Sequence, residues 1–268
     1  MASVLPPAAR FDLGRVVERT FASIGRNFAV FLLLALLLAG LPALLTGALL
    51  TFAASGGNTP ALDGGDSARF VATGGSAGGV VYIVGAVASF ILQAAIVYGT
   101  IADLNGRRAE FVECLSTGLR NWFWLFLLAI AVTVAEVFGY LFFIVPGLMM
   151  TVAWMVAVPV QVVERTGVFG AIGRSAELTR GRRWPIFGLL VIYIIAAGVI
   201  QVAVTAIATV LAASLSPSTT QAATQVLAQP LLNVITGLIG AAGVASIYYE
   251  LRSTREGIGP EALAAVFD

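Results

Sequence analysis

Residues 122–163 read WFWLFLLAIAVTVAEVFGYLFFIVPGLMMTVAWMVAVPVQVV, and Glu136 is the one residue among them that carries a formal charge. An apolar helix of about 20 residues crosses the hydrocarbon core of a bilayer, so this stretch is long enough for two crossings. Val145-Pro146-Gly147 divides it near the middle. Proline is tolerated in the first turn of a helix, and glycine suits a tight turn. The stretch therefore predicts two membrane spans, 122–145 and 146–163, that form a hairpin.

The whole chain has the composition of an integral membrane protein. Of its 268 residues, 59% are hydrophobic and 11% are charged, and the mean hydropathy is +0.96. This leaves too little polar surface to cover a soluble protein of this size. The same length criterion adds four spans, so we predict an all-α membrane protein with six transmembrane helices in a single domain, 1–268. The four further spans are 28–53, 79–102, 185–212 and 227–249.

Two sequence features modify these spans. Pro42 and Pro159 lie inside the first and fourth spans, and each should bend its helix, because proline lacks an amide hydrogen and its ring collides with the preceding turn. Residues 54–78 are rich in glycine, serine and alanine, which predicts a flexible external loop between the first two spans.

The fifteen basic residues are all arginine, and their distribution indicates the orientation. Four precede the first span, three lie in 103–121, five lie in 164–184 and two follow the last span, so fourteen of the fifteen flank one side. Positively charged residues are enriched in cytoplasmic connections. We therefore expect both termini on the cytoplasmic side.

The segments that enter the first, third and fifth spans are alike. Each has a short amphipathic stretch, then a polar basic step, then an aromatic residue: Phe28, Trp122 or Trp184. The stretches 12–26, 109–119 and 168–180 place apolar residues on one face, which predicts helices lying on the membrane surface. We therefore predict three repeats, each an interfacial helix followed by a hairpin of two spans. The even-numbered spans end in a matching way, at Asp103, Glu164 and Glu250.

Arginine beside an aromatic residue at a span entrance is typical of contact with lipid headgroups. The ring lies at headgroup depth and the guanidinium reaches phosphates. The competing interpretation is that the interfacial helices only cap the end of the bundle. The candidates for binding anionic phospholipid or a partner membrane protein are Arg26, Arg120, Arg174, Arg180, Arg182, Arg183, Trp122 and Trp184.

Glu136 is the one acid well inside a predicted span. A charged side chain at the centre of a bilayer costs about 2.5–3.5 kcal/mol on insertion scales, so we expect it to face the bundle. It serves either as an interhelical hydrogen-bonding group or as part of an ion or substrate path. Gln93, Gln201 and Asn233 are the other polar candidates within spans, either in a network with Glu136 or in helix packing.

Small residues in the last span indicate close helix packing, within one chain or between chains. They are Gly237, Gly240, Ala241, Gly243 and Ala245. Small residues at a spacing of four allow two helix backbones to approach closely. A homo-oligomer is therefore one expectation.

Several classes of function are excluded by what the sequence lacks. Histidine is absent, Cys114 is the single cysteine, and one acid lies in the membrane, so histidine-dependent catalysis, a disulfide and paired-carboxylate chemistry are excluded within one chain. We expect no enzymatic activity, no cofactor and no metal site. The net charge of +1 argues against a nucleic-acid partner.

Residues 146–190 carry a recurring signature. It consists of a Pro-Gly pair, an apolar span containing a proline, an acidic residue, and an A-x-x-x-S-x-x-L-T-x-G helix ending in a tryptophan. The matching residues are Pro146, Gly147, Pro159, Glu164, Ala171, Ser175, Leu178, Thr179, Gly181 and Trp184. This segment resembles the membrane domain of bacterial glycerophosphoryl diester phosphodiesterases and its stand-alone relatives. The resemblance implies a bacterial cytoplasmic-membrane protein without the separate, histidine-using catalytic domain.

Two functions remain open from the sequence. The first is a non-enzymatic scaffold that organises the membrane or binds anionic lipid or partner proteins through its arginine-rich helices. The second is a transporter or channel for a small solute or lipid with Glu136 in its path, since transporters often have internal repeats.

Overall fold

The computed structural model describes residues 11–45, 75–211 and 228–256. These ranges are helical and contain no strand. The helices are α1 (Leu13–Arg26), α2 (Phe28–Leu45), α3 (Gly75–Leu104), α4 (Phe111–Phe142), α5 (Ile144–Trp154), α6 (Ala157–Glu164), α7 (Val168–Thr179), α8 (Arg183–Leu211) and α9 (Gln229–Glu256).

Six helical segments are long and apolar enough to cross a membrane. They are Phe28–Leu45, Ile83–Leu104, Phe111–Phe142, Ile144–Glu164, Arg183–Val210 and Gln229–Glu256. Each predicted span overlaps one of these segments, so the chain is a multi-pass membrane protein, helical and without strands over the residues that the structure describes. The external loop predicted at 54–78 lies outside the described residues except for 75–78, which begin α3. The threefold repeat stays a prediction.

Two spans that contain a proline depart from a regular α-helix, while the predicted bends stay a prediction. In α2 a π-helical turn, Leu36–Gly40, ends two residues before Pro42. The fourth span is divided into α5 and α6 by Met155 and Val156. Met155 stands four residues before Pro159, where the proline ring meets the carbonyl of the preceding turn. The break in the fourth span therefore lies where Pro159 excludes a regular helix.

The predicted interfacial helix at 109–119 is wrong as a separate element. Helix α4 begins at Phe111 and continues unbroken to Phe142. No helix breaker separates the two parts, and the side-chain amide of Asn121 donates to the carbonyl of Thr117 within the same helix (2.8 Å). Helix α4 is about 48 Å long, which exceeds the thickness of the hydrocarbon core of a bilayer, roughly 30 Å. The first turns of α4 are the residues that the sequence assigned to a surface helix.

Helices α1 and α7 lie at the other two predicted positions, and their location at a membrane interface stays a prediction. Asn27 separates α1 from α2 with a non-helical backbone, φ −114° and ψ 23°. Its amide nitrogen donates to the carbonyl of Ser23 (3.1 Å), while its amide oxygen accepts from the backbone N–H of Ala109 (3.1 Å). Gly181, with φ +83°, lies between α7 and α8 and supplies a backbone conformation that other residues rarely adopt.

The helices α3 and α9 are central, whereas α4 and α8 are peripheral. Half of the residues in the most apolar windows of α3 and α9 are buried, against 11% in α4 and α8. In the core, Phe31 of α2, Gly99 of α3 and Cys114 of α4 meet. A β-carbon added at Gly99 would lie 2.6 Å from the ring of Phe31 and 3.0 Å from the sulfur of Cys114. The outward faces of α4 and α8 are apolar, as a lipid-facing surface requires.

Candidate functional site

One end of the bundle, which we call the arginine-rich end, gathers most of the described ion pairs. It consists of α1, α7, the connections 105–110, 165–167 and 180–182, and the C-terminal ends of α3, α6 and α9. The three acids that end the even-numbered spans, Asp103, Glu164 and Glu250, each pair with an arginine of α1 or α7. These pairings tie the surface helices to the membrane spans.

Asp103 at the end of α3 accepts hydrogen bonds from the two residues that precede the first span. Nε of Arg26 donates to Oδ1 of Asp103 (3.1 Å), and the side-chain amide of Asn27 donates to the same oxygen (2.8 Å). The hydrogen bond to Asp103 raises the pKa of Arg26, against a smaller opposing effect of burial. Arg26, predicted to bind lipid headgroups, is therefore neutralised by an acid of the protein, although 56% of its side chain stays exposed.

Glu250 near the end of α9 binds α1. Its side chain is fully buried, and Oε2 accepts a hydrogen bond from Nη1 of Arg19. Nη1 of Arg15 lies 3.7 Å from Oε1, which has no hydrogen-bond partner among the described residues. The guanidinium of Arg19 also lies over the ring of Tyr249, 5.3 Å from its centroid. A buried carboxylate is thus compensated by two arginines from a surface helix.

Glu164, at the end of α6, is the centre of a second network. It accepts from Nε of Arg174 on α7 (3.2 Å) and from the hydroxyl of Tyr248 on α9 (2.8 Å). Arg174 also pairs with Glu177 of its own helix (3.2 Å) and with Glu256 of α9. Burial works against the charge of Arg174, but Glu177 and Glu164 outweigh it and raise the pKa of Arg174. Arg174 is therefore a structural cross-link between α6, α7 and α9.

Two hydroxyls of α7 support the break in the fourth span. The backbone carbonyl of Ala153, in the last turn of α5, accepts from Oγ of Ser175 (2.8 Å) and from Oγ1 of Thr179 (3.2 Å). Both hydroxyl residues are fully buried. A buried carbonyl without a partner is costly, so these side chains stabilise the interrupted backbone that Pro159 creates.

The corner between α7 and α8 holds arginines that lack acid partners. Nη1 of Arg182 donates to the hydroxyl of Thr254, and Nη2 of Arg255 donates to the backbone carbonyl of Arg180. Burial and the nearby charge of Arg255 lower the pKa of Arg182, while Glu250 acts in the opposite direction. Nε of Arg183 is buried without a hydrogen-bond partner among the described residues. Arg180, Arg182, Arg183 and Arg255 form no salt bridge with a described acid.

Of the remaining surface candidates, Arg120 and Trp122 are separated from this corner along the chain, whereas Trp184 directly follows Arg183. Arg120 is exposed and Trp122 is half-buried, and both lie on the continuous helix α4. Trp184 is 82% exposed in the first turn of α8 and contacts Phe187 edge to face, with ring centroids 6.2 Å apart. Phe169 in α7 is 84% exposed. Aromatic side chains therefore project beside the unpaired arginines.

The intramembrane polar residues do not form the network that the sequence suggested. In the described ranges, no hydrogen bond or ion pair joins Glu136 to Gln93, Gln201 or Asn233. Gln201 donates instead to Thr205 of its own helix (3.3 Å), and Asn233 is exposed. Glu136 itself is half-buried. Within the same ranges, no group of three or more acids or cysteines is arranged to hold a metal ion.

The small residues of the last span have different surroundings. A β-carbon at Gly237 or Gly243 would meet no atom within 4 Å, whereas one at Gly240 would lie 2.9 Å from the hydroxyl of Tyr193 on α8. The closest approach to a helix backbone is instead at Gly118 of α4, where a β-carbon would lie 2.5 Å from the carbonyl oxygen of Ile91 on α3. Ala241 and Ala245 of the selected residues are buried in the core, but Gly118, which allows this backbone approach between spans, is one that the sequence analysis did not select.

Comparison with known proteins gives one partial match. Residues 137–251 match a family described as a domain of unknown function (DUF7847). The match begins within α4 and ends in α9, so it includes the break at Met155 and Val156, the whole of α7, and the contact of Glu164 with Arg174 and Tyr248. No curated protein and no solved structure matches the chain.

Proposed function

We propose that this chain is a non-enzymatic membrane protein whose arginine-rich end faces the cytoplasm and binds anionic phospholipid headgroups. One observation carries the proposal: seven arginines, at that end and in the N-terminal parts of α4 and α8, form no salt bridge with a described acid. They are Arg108, Arg120, Arg165, Arg180, Arg182, Arg183 and Arg255. Unpaired positive charge beside a membrane attracts the anionic lipids of the cytoplasmic leaflet.

The position of the exposed aromatic residues supports the same proposal. Phe21 of α1, Phe169 of α7 and Trp184 of α8 are 57%, 84% and 82% exposed. Aromatic rings concentrate at the boundary between headgroups and hydrocarbon, where an apolar ring and a polar surrounding are both accommodated. Their occurrence on α1 and α7 and at a span entrance supports a location of the unpaired arginines at headgroup depth.

The sequence resemblance to phosphodiesterase membrane domains supports a bacterial cytoplasmic membrane as the location.

The pairing of Arg26 and Arg174 with acids narrows the earlier set of candidate arginines, because a guanidinium already bonded to a carboxylate has fewer donors for a phosphate. The proposed binding surface therefore consists of the seven unpaired arginines rather than of every arginine near a span entrance.

Native mass spectrometry of the full chain tests the proposal. The protein would be released from nanodiscs made of equal amounts of phosphatidylglycerol and phosphatidylcholine, and the retained lipids counted. We expect phosphatidylglycerol to be enriched several-fold among them. Retained lipid with the composition of the nanodisc would overturn the proposal.

The alternative is transport through a path that contains Glu136. A half-buried carboxylate with no described hydrogen-bond partner is the observation in its favour. Liposome flux assays with the unmodified chain and Glu136→Gln test it. A flux that is lost in the variant would favour transport, and equal flux from both would count against it. We prefer lipid binding because no described polar contact joins Glu136 to a second group.

A further inference from the structure

Two arginines of the same charge are held side by side at the corner between α7 and α8. Arg182 is fixed by its hydrogen bond to Thr254 of α9, and Arg255 is fixed by its hydrogen bond to the carbonyl of Arg180. Neither forms a salt bridge with a described acid. Like charges in a partly buried position repel each other, and burial followed by the charge of Arg255 lowers the pKa of Arg182 despite the opposing effect of Glu250. An anion bound between them would relieve the repulsion.

The backbone at this corner adds further donors. Helix α8 begins at Arg183, and neither Arg183 nor Trp184 donates a backbone hydrogen bond among the described residues. The third residue, Pro185, has no amide hydrogen to donate. The start of a long helix carries a partial positive charge and favours anions. Nε of Arg183, buried and without a described partner, is an independent donor that the protein leaves unused.

The other two span entrances lack this combination. At the first, Arg26 is hydrogen-bonded to Asp103. At the third span, Arg120 lies within the continuous helix α4, where the backbone amides are already used by the helix. The corner therefore differs from the matching positions in having several arginines, a helix start and no acid that forms a salt bridge.

We propose that Arg182, Arg183, Arg255 and the first turn of α8 form a specific site for the phosphate of an anionic phospholipid headgroup, an inference that rests on the lipid binding proposed above. The ligand is a phospholipid without an amine in its headgroup, because an ammonium group would be repelled by the surrounding arginines. Trp184, exposed beside the site, favours a ligand held in the membrane over a soluble phosphate.

The test compares two double variants that remove the same charge. In Arg182→Gln with Arg255→Gln, both arginines of the corner are lost. In the control, Arg108→Gln with Arg120→Gln, two unpaired and exposed arginines elsewhere are lost. Each full-length protein is released from mixed phosphatidylglycerol and phosphatidylcholine nanodiscs into a native mass spectrometer. We expect retention of the most tightly held phosphatidylglycerol to fall roughly tenfold or more in the corner variant and by a clearly smaller factor in the control, because Arg108 and Arg120 belong to the general binding surface but not to the corner.

Equal retention in the corner variant and the unmodified chain, or an equal loss in both double variants, would overturn the inference and leave general lipid binding intact. Absence of enrichment in the unmodified chain would overturn both proposals. If the corner variant does not fold, Arg183→Gln replaces it, because Nε of Arg183 has no described protein partner to lose. Inorganic phosphate added to the detergent-solubilised protein distinguishes the source: displacement of the lipid at low millimolar phosphate would contradict a lipid-specific site.

Discussion

The carboxylate of Glu250 on α9 accepts a hydrogen bond from the guanidinium of Arg19 on α1, although the two residues are 231 positions apart in the sequence. Glu250 is fully buried, while 21% of the Arg19 side chain is exposed. The contact joins the first described helix to the last one. It makes the amphipathic helix α1 part of the packed bundle rather than a segment that only lies on its surface.

Replacing Glu250 with glutamine should destabilise the protein by about 2–3 kcal/mol. Removal of one partner from a buried ion pair leaves the other charge uncompensated, and the partial exposure of Arg19 reduces the cost below that of a fully buried pair. Thermal unfolding can be followed with a maleimide dye, since Cys114 is the single cysteine in the chain and is fully buried until the helices separate.

The matched control is Glu18→Gln, because Glu18 is an exposed acid of α1, adjacent to Arg19, that forms no salt bridge with a described residue. Its effect should stay within about 0.5 kcal/mol. Arg19→Gln and the double variant complete a double-mutant cycle. An additive result in the double variant would contradict a direct interaction between Arg19 and Glu250.

The spans were predictable from sequence because apolar length alone determines which helices can cross a membrane. The contacts of the arginines were not. The sequence analysis noted that Asp103, Glu164 and Glu250 end the even-numbered spans and that arginines precede the odd-numbered ones, but no local pattern indicates which acid meets which arginine. Those contacts depend on how α1 and α7 pack against the ends of α3, α6 and α9, which is a property of the tertiary fold.

Removing the hydroxyls of Ser175 and Thr179 together should destabilise the protein by about 1–3 kcal/mol. The hydroxyl of Ser175 donates to the carbonyl of Ala153 (2.8 Å), and the hydroxyl of Thr179 lies within hydrogen-bond distance of the same carbonyl (3.2 Å) and of the carbonyl of Ser175 (2.9 Å). The Ser175→Ala, Thr179→Val variant would leave the buried carbonyl of Ala153 without these partners. The same thermal unfolding assay measures the effect. Ser116→Ala is the control, because the exposed hydroxyl of Ser116 bonds only to a carbonyl of its own helix. Equal unfolding temperatures for the two variants would show that the break in the fourth span needs no support from α7.

A methyl group at Gly118 should disrupt the packing of α3 against α4. The added carbon would stand 2.5 Å from the backbone carbonyl oxygen of Ile91, and a backbone atom cannot move aside without shifting the helix. Overpacking of this kind costs about 1–3 kcal/mol or more. Gly243→Ala should be neutral or slightly stabilising, because a β-carbon there meets no atom within 4 Å. A stable Gly118→Ala variant would mean that α3 and α4 are further apart than described.

The two glycines also show why close contacts between spans were not predicted. Glycines recur in the last span and stand out in the sequence, yet Gly237 and Gly243 have open space beside them. Gly118 is isolated among larger residues and gives no repeated signal. Spacing along one helix indicates a face that can approach another helix, but the residue that makes the contact depends on the neighbour, here Ile91 of α3.

Replacing Glu136 with leucine should stabilise the protein. A carboxylate near the middle of a span costs about 2.5–3.5 kcal/mol on insertion scales, and no described residue offers Glu136 a hydrogen bond or ion pair in return. We therefore expect Glu136→Leu to unfold at a higher temperature than the unmodified chain when Cys114 reactivity is measured in detergent. Asn233→Leu, at an exposed polar position within the last span, serves as the comparison and should have a smaller effect, since an amide carries no charge. The opposite result would have a different meaning. If Glu136→Leu unfolded at a lower temperature and also changed the mass of the folded protein in detergent, the carboxylate would be making a contact between copies of the chain. That result would identify α4 as an interface and support the homo-oligomer expected from the sequence, because a polar group in a membrane span stabilises a protein only where a partner satisfies it.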